Sequence, residues 1–216
     1  MKLLERYSLF TGLKIGKQYL EEQFYPLPFE RYVTLNASSG MVAKNYPFYT
    51  DVVALIKPYL VSRGIEIVQL GAKEDAAIPG CHHLMGKCSM HQSNYVLKSS
   101  LCHLGNDSVL CHRAGYLNIP LVETFASTSV ENHSPYQFDE KKTRFISSHR
   151  WGRNPTFASQ EAQSTAVLID PFDIARAVLD LLEIPHTITQ HTLHVGQAYN
   201  ATLFDWVPDM VVSPQF

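Results

Sequence analysis

Four short polar clusters each follow a β-prone run, and their residue types suit a phosphorylated ligand. Ala37-Ser38-Ser39-Gly40 comes first, with Lys44 close behind; Gly71-Ala72-Lys73-Glu74-Asp75 is second. Gly105-Asn106-Asp107-Ser108 is third, with His112 further along, and Ala126-Ser127-Thr128-Ser129 is last. Where Asp107-Ser108 opens a helix, backbone N–H groups and the helix dipole favour a phosphate, and the Ser108 hydroxyl adds a donor. Asp107 has the wrong sign for phosphate. It caps the helix, orients Ser108, or accepts a hydrogen bond from a ribose or sugar hydroxyl. Lys44 offers a point charge to a diphosphate. Glu74 and Asp75 follow a strand, the position from which acidic residues bind ribose in dinucleotide folds. Taken singly, each has a plainer reading: a helix cap, a solvated lysine, a polar loop, and, for His112, a packing histidine. What speaks for a site is that all four clusters fall at strand ends.

Two other chemistries fit less well. Cys81-His82-His83 precedes Cys88, and Cys102-His103 precedes Cys111-His112, but these C-x6-C and C-x8-C spacings are wider than the tight pairs of common zinc sites. Cys102, on a strand, and Cys111, on the helix behind it, read as small core residues, so no metal is expected. No G-x-G-x-x-G follows the first strand and no Walker phosphate loop occurs.

The elements that must hold these clusters alternate. Tyr32–Asn36 is a strand ending in a Gly/Ser turn, and residues 47–62 carry apolar side chains at helical spacing until Arg63-Gly64. A strand over 65–70, a weak strand over 83–85 and a helix over 89–99 capped by Ser89 follow. Next come a strand over 101–104, a turn at Gly105-Asn106, a helix from about Asp107 to Tyr116, and a strand over 119–125. A strand over 144–148 and a helix over 171–182, capped by Asp170 with Pro171 at its start, complete the series. Such alternation with short connections predicts a Rossmann-like, mostly parallel sheet with helices on both faces. Residues 1–30, with Pro26 and Pro28 near their end, read as an extended, amphipathic lead-in to a domain over 31–185. Residues 186–216 form a tail of no assigned role, in which 187–195 alternates like a strand.

Bulk properties narrow the role. The chain has 216 residues, 45% of them hydrophobic and 18% charged, with a formal charge of −2. It is globular, and no basic field draws it to nucleic acid. Met1–Arg6 lacks the apolar core of a signal peptide, and no apolar run reaches the roughly 18 residues of a membrane span. The expectation is a cytoplasmic, reduced protein without a transmembrane segment. Arg144, Arg150 and Arg153 are either a basic lip for an anionic acceptor or a solvated loop, and the solvated loop is the simpler reading.

Taken in order, the motifs resemble a known family. Asn36-Ala37-Ser38-Ser39-Gly40 with Lys44-Asn45-Tyr46-Pro47, Val68-Gln69-Leu70-Gly71, Gly105-Asn106-Asp107-Ser108 with His112-Arg113-Ala114-Gly115, and Asn118-Ile119-Pro120-Leu121-Val122 followed by Thr128 resemble the C-terminal domain of ADP-heptose:lipopolysaccharide heptosyltransferases. The resemblance covers about residues 31–135, and the helix over 171–182 resembles the family's closing helix. It implies the donor-binding half of a two-domain GT-B glycosyltransferase. Ser38, Ser39, Gly40 and Lys44 would then meet the donor diphosphate together with Gly105, Asn106, Asp107 and Ser108. Thr128 would line the site, His112 would support it, and Gly71, Lys73, Glu74 and Asp75 would lie near the nucleoside. Where the family often has Gly after the Asp-Ser pair, this chain has Val109. Residues 1–30 are too few to form the N-terminal domain that carries the family's catalytic base, and no base is named in this sequence.

The resulting expectation is a glycosyltransferase-type protein that takes a nucleotide-diphosphate sugar as donor, needs no further cofactor, and serves a glycan or lipopolysaccharide-like acceptor. A partner domain or a homo-oligomer would complete it. The alternatives are a non-catalytic nucleotide or nucleotide-sugar binding module, or one part of a split two-domain transferase.

Overall fold

The six strands expected within residues 31–185 all form, and every pairing between them is parallel. The computed structural model describes residues 1–150, 152–161 and 164–189. β1 (Tyr32–Asn36), β2 (Glu66–Gln69), β3 (His82–His83), β4 (His103–Asn106), β5 (Leu121–Phe125) and β6 (Thr143–Ser147) make one sheet, in the order β3-β2-β1-β4-β5-β6. The order reverses between β1 and β4, and that crevice is where doubly wound sheets bind ligands.

The central strands are buried on both faces because each face is covered by helices. β1, β4 and β5 are buried along their whole length. Val33, Leu35, Leu104 and Val122 pack under α2 (Tyr49–Val61) and α6 (Pro171–Leu181). Tyr32, Val68 and Leu121 pack under α3 (Met90–Lys98) and α4 (Val109–Tyr116). Alternation along each strand thus feeds two separate cores. Two helix starts follow their local sequence. Ser89 and Gln92 form a capping box on α3. At α6 the Asp170 carboxylate accepts from the Phe172 N–H at 2.8 Å, with Pro171 at the first helical position.

Three expectations are corrected. Gly105-Asn106 is not a turn: both residues lie in β4, with Gly105 opposite Glu123 and Asn106 opposite Thr124. The glycine is needed for closeness, since a Cβ at Gly105 would stand 2.9 Å from the Asn36 carbonyl oxygen and 3.4 Å from Cys111 Sγ. Residues 1–30 are not extended throughout. α1 (Leu3–Thr11) forms and ends at Gly12, whose φ of 71° is the left-handed stop glycine tolerates. The prolines constrain only the later part, which lies along α3 and α4. There Gln23 N–H donates to His91 O (3.1 Å), Asn94 Nδ2 to Glu21 O (2.7 Å) and Tyr116 Oη to Gln18 O (2.9 Å). In the tail, residues 187–189 are not strand, and the remainder of the expected 187–195 strand lies outside the described residues. No helix among the described residues is long and apolar enough to cross a membrane.

Candidate functional site

The site begins with Asn106, the last residue of β4. Its side chain brackets the loop that follows β1: Nδ2 donates to Ala37 O (2.8 Å), and Oδ1 accepts from Tyr46 N–H (3.1 Å). Within that loop Asn45 Oδ1 accepts from Ser39 N–H at 2.7 Å. The loop thereby closes on itself and carries Lys44, at the end of a 3-10 turn over Val42–Lys44, to the strand ends.

Lys44 Nζ lies 2.8 Å from Asp107 Oδ2, with the two side chains 12% and 2% exposed. Thr128 Oγ1 donates to the same carboxylate oxygen at 2.6 Å. Asp107 N–H continues the β4 ladder to Thr124 O at 3.1 Å, so the residue belongs to the strand end and does not cap α4. Ser108 takes the N-cap position instead. No side chain caps that helix, and Ser108 Oγ is buried with no nitrogen or oxygen partner among the described residues, its neighbour being the Cys111 thiol. His112 stands one turn into α4 with Nε2 3.9 Å from Asp107 Oδ1, too long for a hydrogen bond. Burial lowers its pKa, Asp107 opposes that shift, and Lys44 adds to it, which leaves a neutral imidazole at pH 7.

Around these groups opens a cleft of about 690 Å³. It gathers Ser38, Ser39, Gly40 and Lys44 from the loop after β1, Gly71 and Asp75 from the loop after β2, and Asp107, Ser108 and His112 from the start of α4. The other expected site residues lie elsewhere. Gly105 and Asn106 are buried in β4, and Thr128, 3% exposed, stands behind Asp107. Lys73 and Glu74 are exposed on their loop and do not line the cleft. That loop is pinned from below: Gly86, at φ 67°, lets its backbone approach Lys73 so closely that a Cβ would stand 2.9 Å from Lys73 Cα. Asp75 Oδ2 is taken by the Ala72 N–H at 2.8 Å.

Sequence reading misses several cleft residues. Asn36, Met41, Cys88, Met90 and His133 all line it, and none carries a local signature. Nor does Glu123, which is fully buried on β5 with neither carboxylate oxygen hydrogen-bonded among the described residues. Burial above all, and then the Asp107 charge, hold its pKa well above the usual carboxylate range; Lys2 and Lys44 pull the other way. His103, also fully buried, meets Thr34 Oγ1 through Nδ1 at 2.9 Å, and burial pushes its pKa down to about 3. Cys102 and Cys111 are fully buried free thiols in the core. Among the described residues no three His, Cys, Asp or Glu side chains converge to hold a metal ion. Arg150 forms no lip: it turns inward to Glu161 at 2.9 Å, the pair 12% and 4% exposed.

A sequence model of glycosyltransferase family 9 (heptosyltransferase) matches residues 8–165, well over half of the chain. The chain belongs to glycosyltransferase family 9. No curated protein matches this family 9 chain significantly by sequence. Among solved structures it is similar to E. coli ADP-heptose lps heptosyltransferase II, with 22% identity and a TM-score of 0.56 over 73% of this chain and 48% of that one. A glycosyl transferase family 9 protein from Veillonella parvula aligns at 14% identity and TM-score 0.57, over 71% and 46% of the two chains. The iron-containing dodecameric glycosyltransferase TibC from enterotoxigenic E. coli aligns at 15% identity and TM-score 0.57, over 74% and 47%. At these identities the likeness is one of fold. The family 9 chain spans about half the length of each of these structures.

Proposed function

We propose that this chain binds a nucleotide-diphosphate sugar in the cleft between β1 and β4 and serves as the donor half of a glycosyltransferase, whose acceptor is a glycan or lipopolysaccharide-like molecule. One observation carries the reading. Lys44, held by Asp107, stands beside the uncapped N-terminus of α4 at the point where strand order reverses.

A diphosphate there meets the first-turn amides of α4, the Ser108 hydroxyl and the Lys44 ammonium. Asp107 offsets much of the lysine's charge, so the amides and hydroxyls carry the larger share of binding. The same groups stabilise the charge that grows on the nucleoside diphosphate as it leaves. The nucleoside extends toward Gly71 and Asp75, at the end of β2. In this reading the donor is the sole small-molecule requirement. The four cysteines are free thiols, which agrees with a place in the cytoplasm.

The acidic groups of the cleft favour a second reading of its competence alone. Asp107 Oδ2 is occupied by Lys44 and Thr128, Asp75 Oδ2 by a backbone amide, and Glu123 lies out of reach in the sheet. None is free to deprotonate an acceptor. We assign that role to a partner domain or a second copy, the neutral imidazoles of His112 and His133 being set against the donor, and expect the chain alone to act as a nucleotide-sugar binding module.

A thermal-shift series with ADP, UDP, GDP and their sugars tests both readings. Ligand at about a hundred times its Kd adds about 2.7 kcal/mol to the native state, which raises Tm by several degrees. No shift with any of them sinks the donor-site reading and the module reading together. Sugar transfer by the isolated chain would reject the module reading alone.

A further inference from the structure

With a diphosphate at the start of α4, the cleft has two remaining ends. The end on the β2 side offers Gly71 and Asp75, the position that takes ribose in this topology. The end on the β5 side offers His133, which lines the same cleft.

That second end is firmly built. The His133 ring lies against Phe157, with ring centroids 5.4 Å apart and planes at 32°. Phe157 has φ 54°, a conformation that L-residues other than Asn and Asp seldom adopt and that persists only where its surroundings enforce it. Here the surroundings do so. Phe157 N–H donates to Ser127 O (2.8 Å), Thr156 Oγ1 to Glu161 Oε1 (2.7 Å), and Ser159 O accepts from Ala43 N–H (3.0 Å), next to Lys44. Glu161 also accepts from Thr165, and Arg150 ties it to the carbonyl of Ala126. Burial alone would raise the Glu161 pKa, but hydrogen bonds from Thr165, Thr156 and Arg150 outweigh that and bring it to about 2. A strained backbone thus holds a ring that is 44% exposed and stacked on His133, which lines the cleft.

The same corner has unmet polar capacity. His133 Nδ1 and Ser108 Oγ, both on residues that line the cleft, are buried without nitrogen or oxygen partners among the described residues, a condition native proteins rarely leave unexplained. Burial lowers the His133 pKa, with Asp107 opposing and Lys44 reinforcing, so at pH 7 the imidazole presents one donor and one acceptor. Another anion fits badly beside Asp107. A neutral ring bearing hydroxyls supplies both kinds of partner, and its C–H face packs on an aromatic.

We infer that the corner of His133 and Phe157 is the subsite for the sugar ring of a nucleotide sugar, an inference that rests on the donor-site reading above. Calorimetric titration of the full chain with ADP, UDP and GDP, and with ADP-glucose, UDP-glucose and GDP-mannose, separates the two ideas. His133→Phe keeps the ring contact and removes both nitrogens; Phe157→Gly removes the ring and adopts φ 54° without strain. Each variant is expected to bind the sugar-linked nucleotide about tenfold more weakly, while bare nucleoside diphosphate stays within about twofold of wild type. Unchanged affinity for the sugar-linked form, or an equal loss on the bare diphosphate, overturns the subsite. Absence of wild-type binding to every bare diphosphate fails the donor-site reading itself, and the subsite with it. Should one variant not fold, the other decides on the same criteria.

Discussion

Ser89 and Ser108 both precede helices on the same face of the sheet, yet their hydroxyls behave in opposite ways. At α3, Ser89 Oγ accepts from Gln92 N–H at 3.2 Å and Gln92 Oε1 accepts from Ser89 N–H at 2.8 Å. At α4, Ser108 Oγ is buried without a nitrogen or oxygen partner among the described residues, and the helix start has no side-chain cap. The preceding carboxylate, Asp107, is occupied with Lys44 and Thr128. One helix completes its own amides; the other leaves them facing a cleft. Capping and anion binding draw on the same N–H groups, so a helix start that is closed for stability is closed to a ligand as well.

The largest effect should follow from breaking the network that keeps the α4 start open. Asp107→Ala leaves Lys44 nearly buried without its partner and removes the acceptor of Thr128. Loss of one member of such a pair costs about 3–5 kcal/mol, measurable by urea unfolding. Asp107→Asn, which keeps an acceptor for Thr128, should lose clearly less. Equal, small losses in both would mean that the pair does not hold this corner.

A smaller effect concerns Glu123, which sits behind the same helix start. Its folded pKa is raised, so the stability it contributes is full below the unfolded value of about 4.5 and is lost as pH rises toward the folded value. Glu123→Gln lacks this penalty. It should raise Tm by several degrees at pH 8, with the advantage fading near pH 4.5. In an Asp107→Asn background the gain should shrink, because the Asp107 charge is the second cause of the shift. A gain independent of pH would contradict the assignment.

The smallest effects sharpen the comparison of the serines directly. Ser89→Ala should cost about 1 kcal/mol of stability and leave nucleoside diphosphate binding alone. Ser108→Ala should leave stability nearly unchanged and weaken that binding several-fold. The opposite pattern would show that α4 is the helix whose hydroxyl serves as a cap.

How far the sequence speaks follows the same local-against-distant division. Ser89 as the cap of α3, and Asp170 with Pro171 at α6, are read correctly because a cap and the amides it meets lie within one turn. β1, β2, β5 and β6 are legible from short runs containing β-branched residues, whereas β3 and β4 contain none. The end of β4 is not legible, since Gly105-Asn106 has the composition of a turn, and only the neighbouring strands make it a ladder. α1 is missed because Pro26 and Pro28 govern only the segment next to them. At the cleft, residue types fall in the right clusters, yet the work of Asp107 depends on Lys44 and Thr128 from two other loops. His133 and Phe157 meet only through the segment that Arg150 and Glu161 hold in place.

The most direct measurement is calorimetric titration of wild type and Lys44→Ala with ADP, UDP and GDP at low salt. The account predicts one-to-one binding of at least one of them by wild type, weakened about tenfold to a hundredfold in the variant through loss of a charged hydrogen bond. Binding that survives Lys44→Ala undiminished, or no binding by wild type at all, would contradict it.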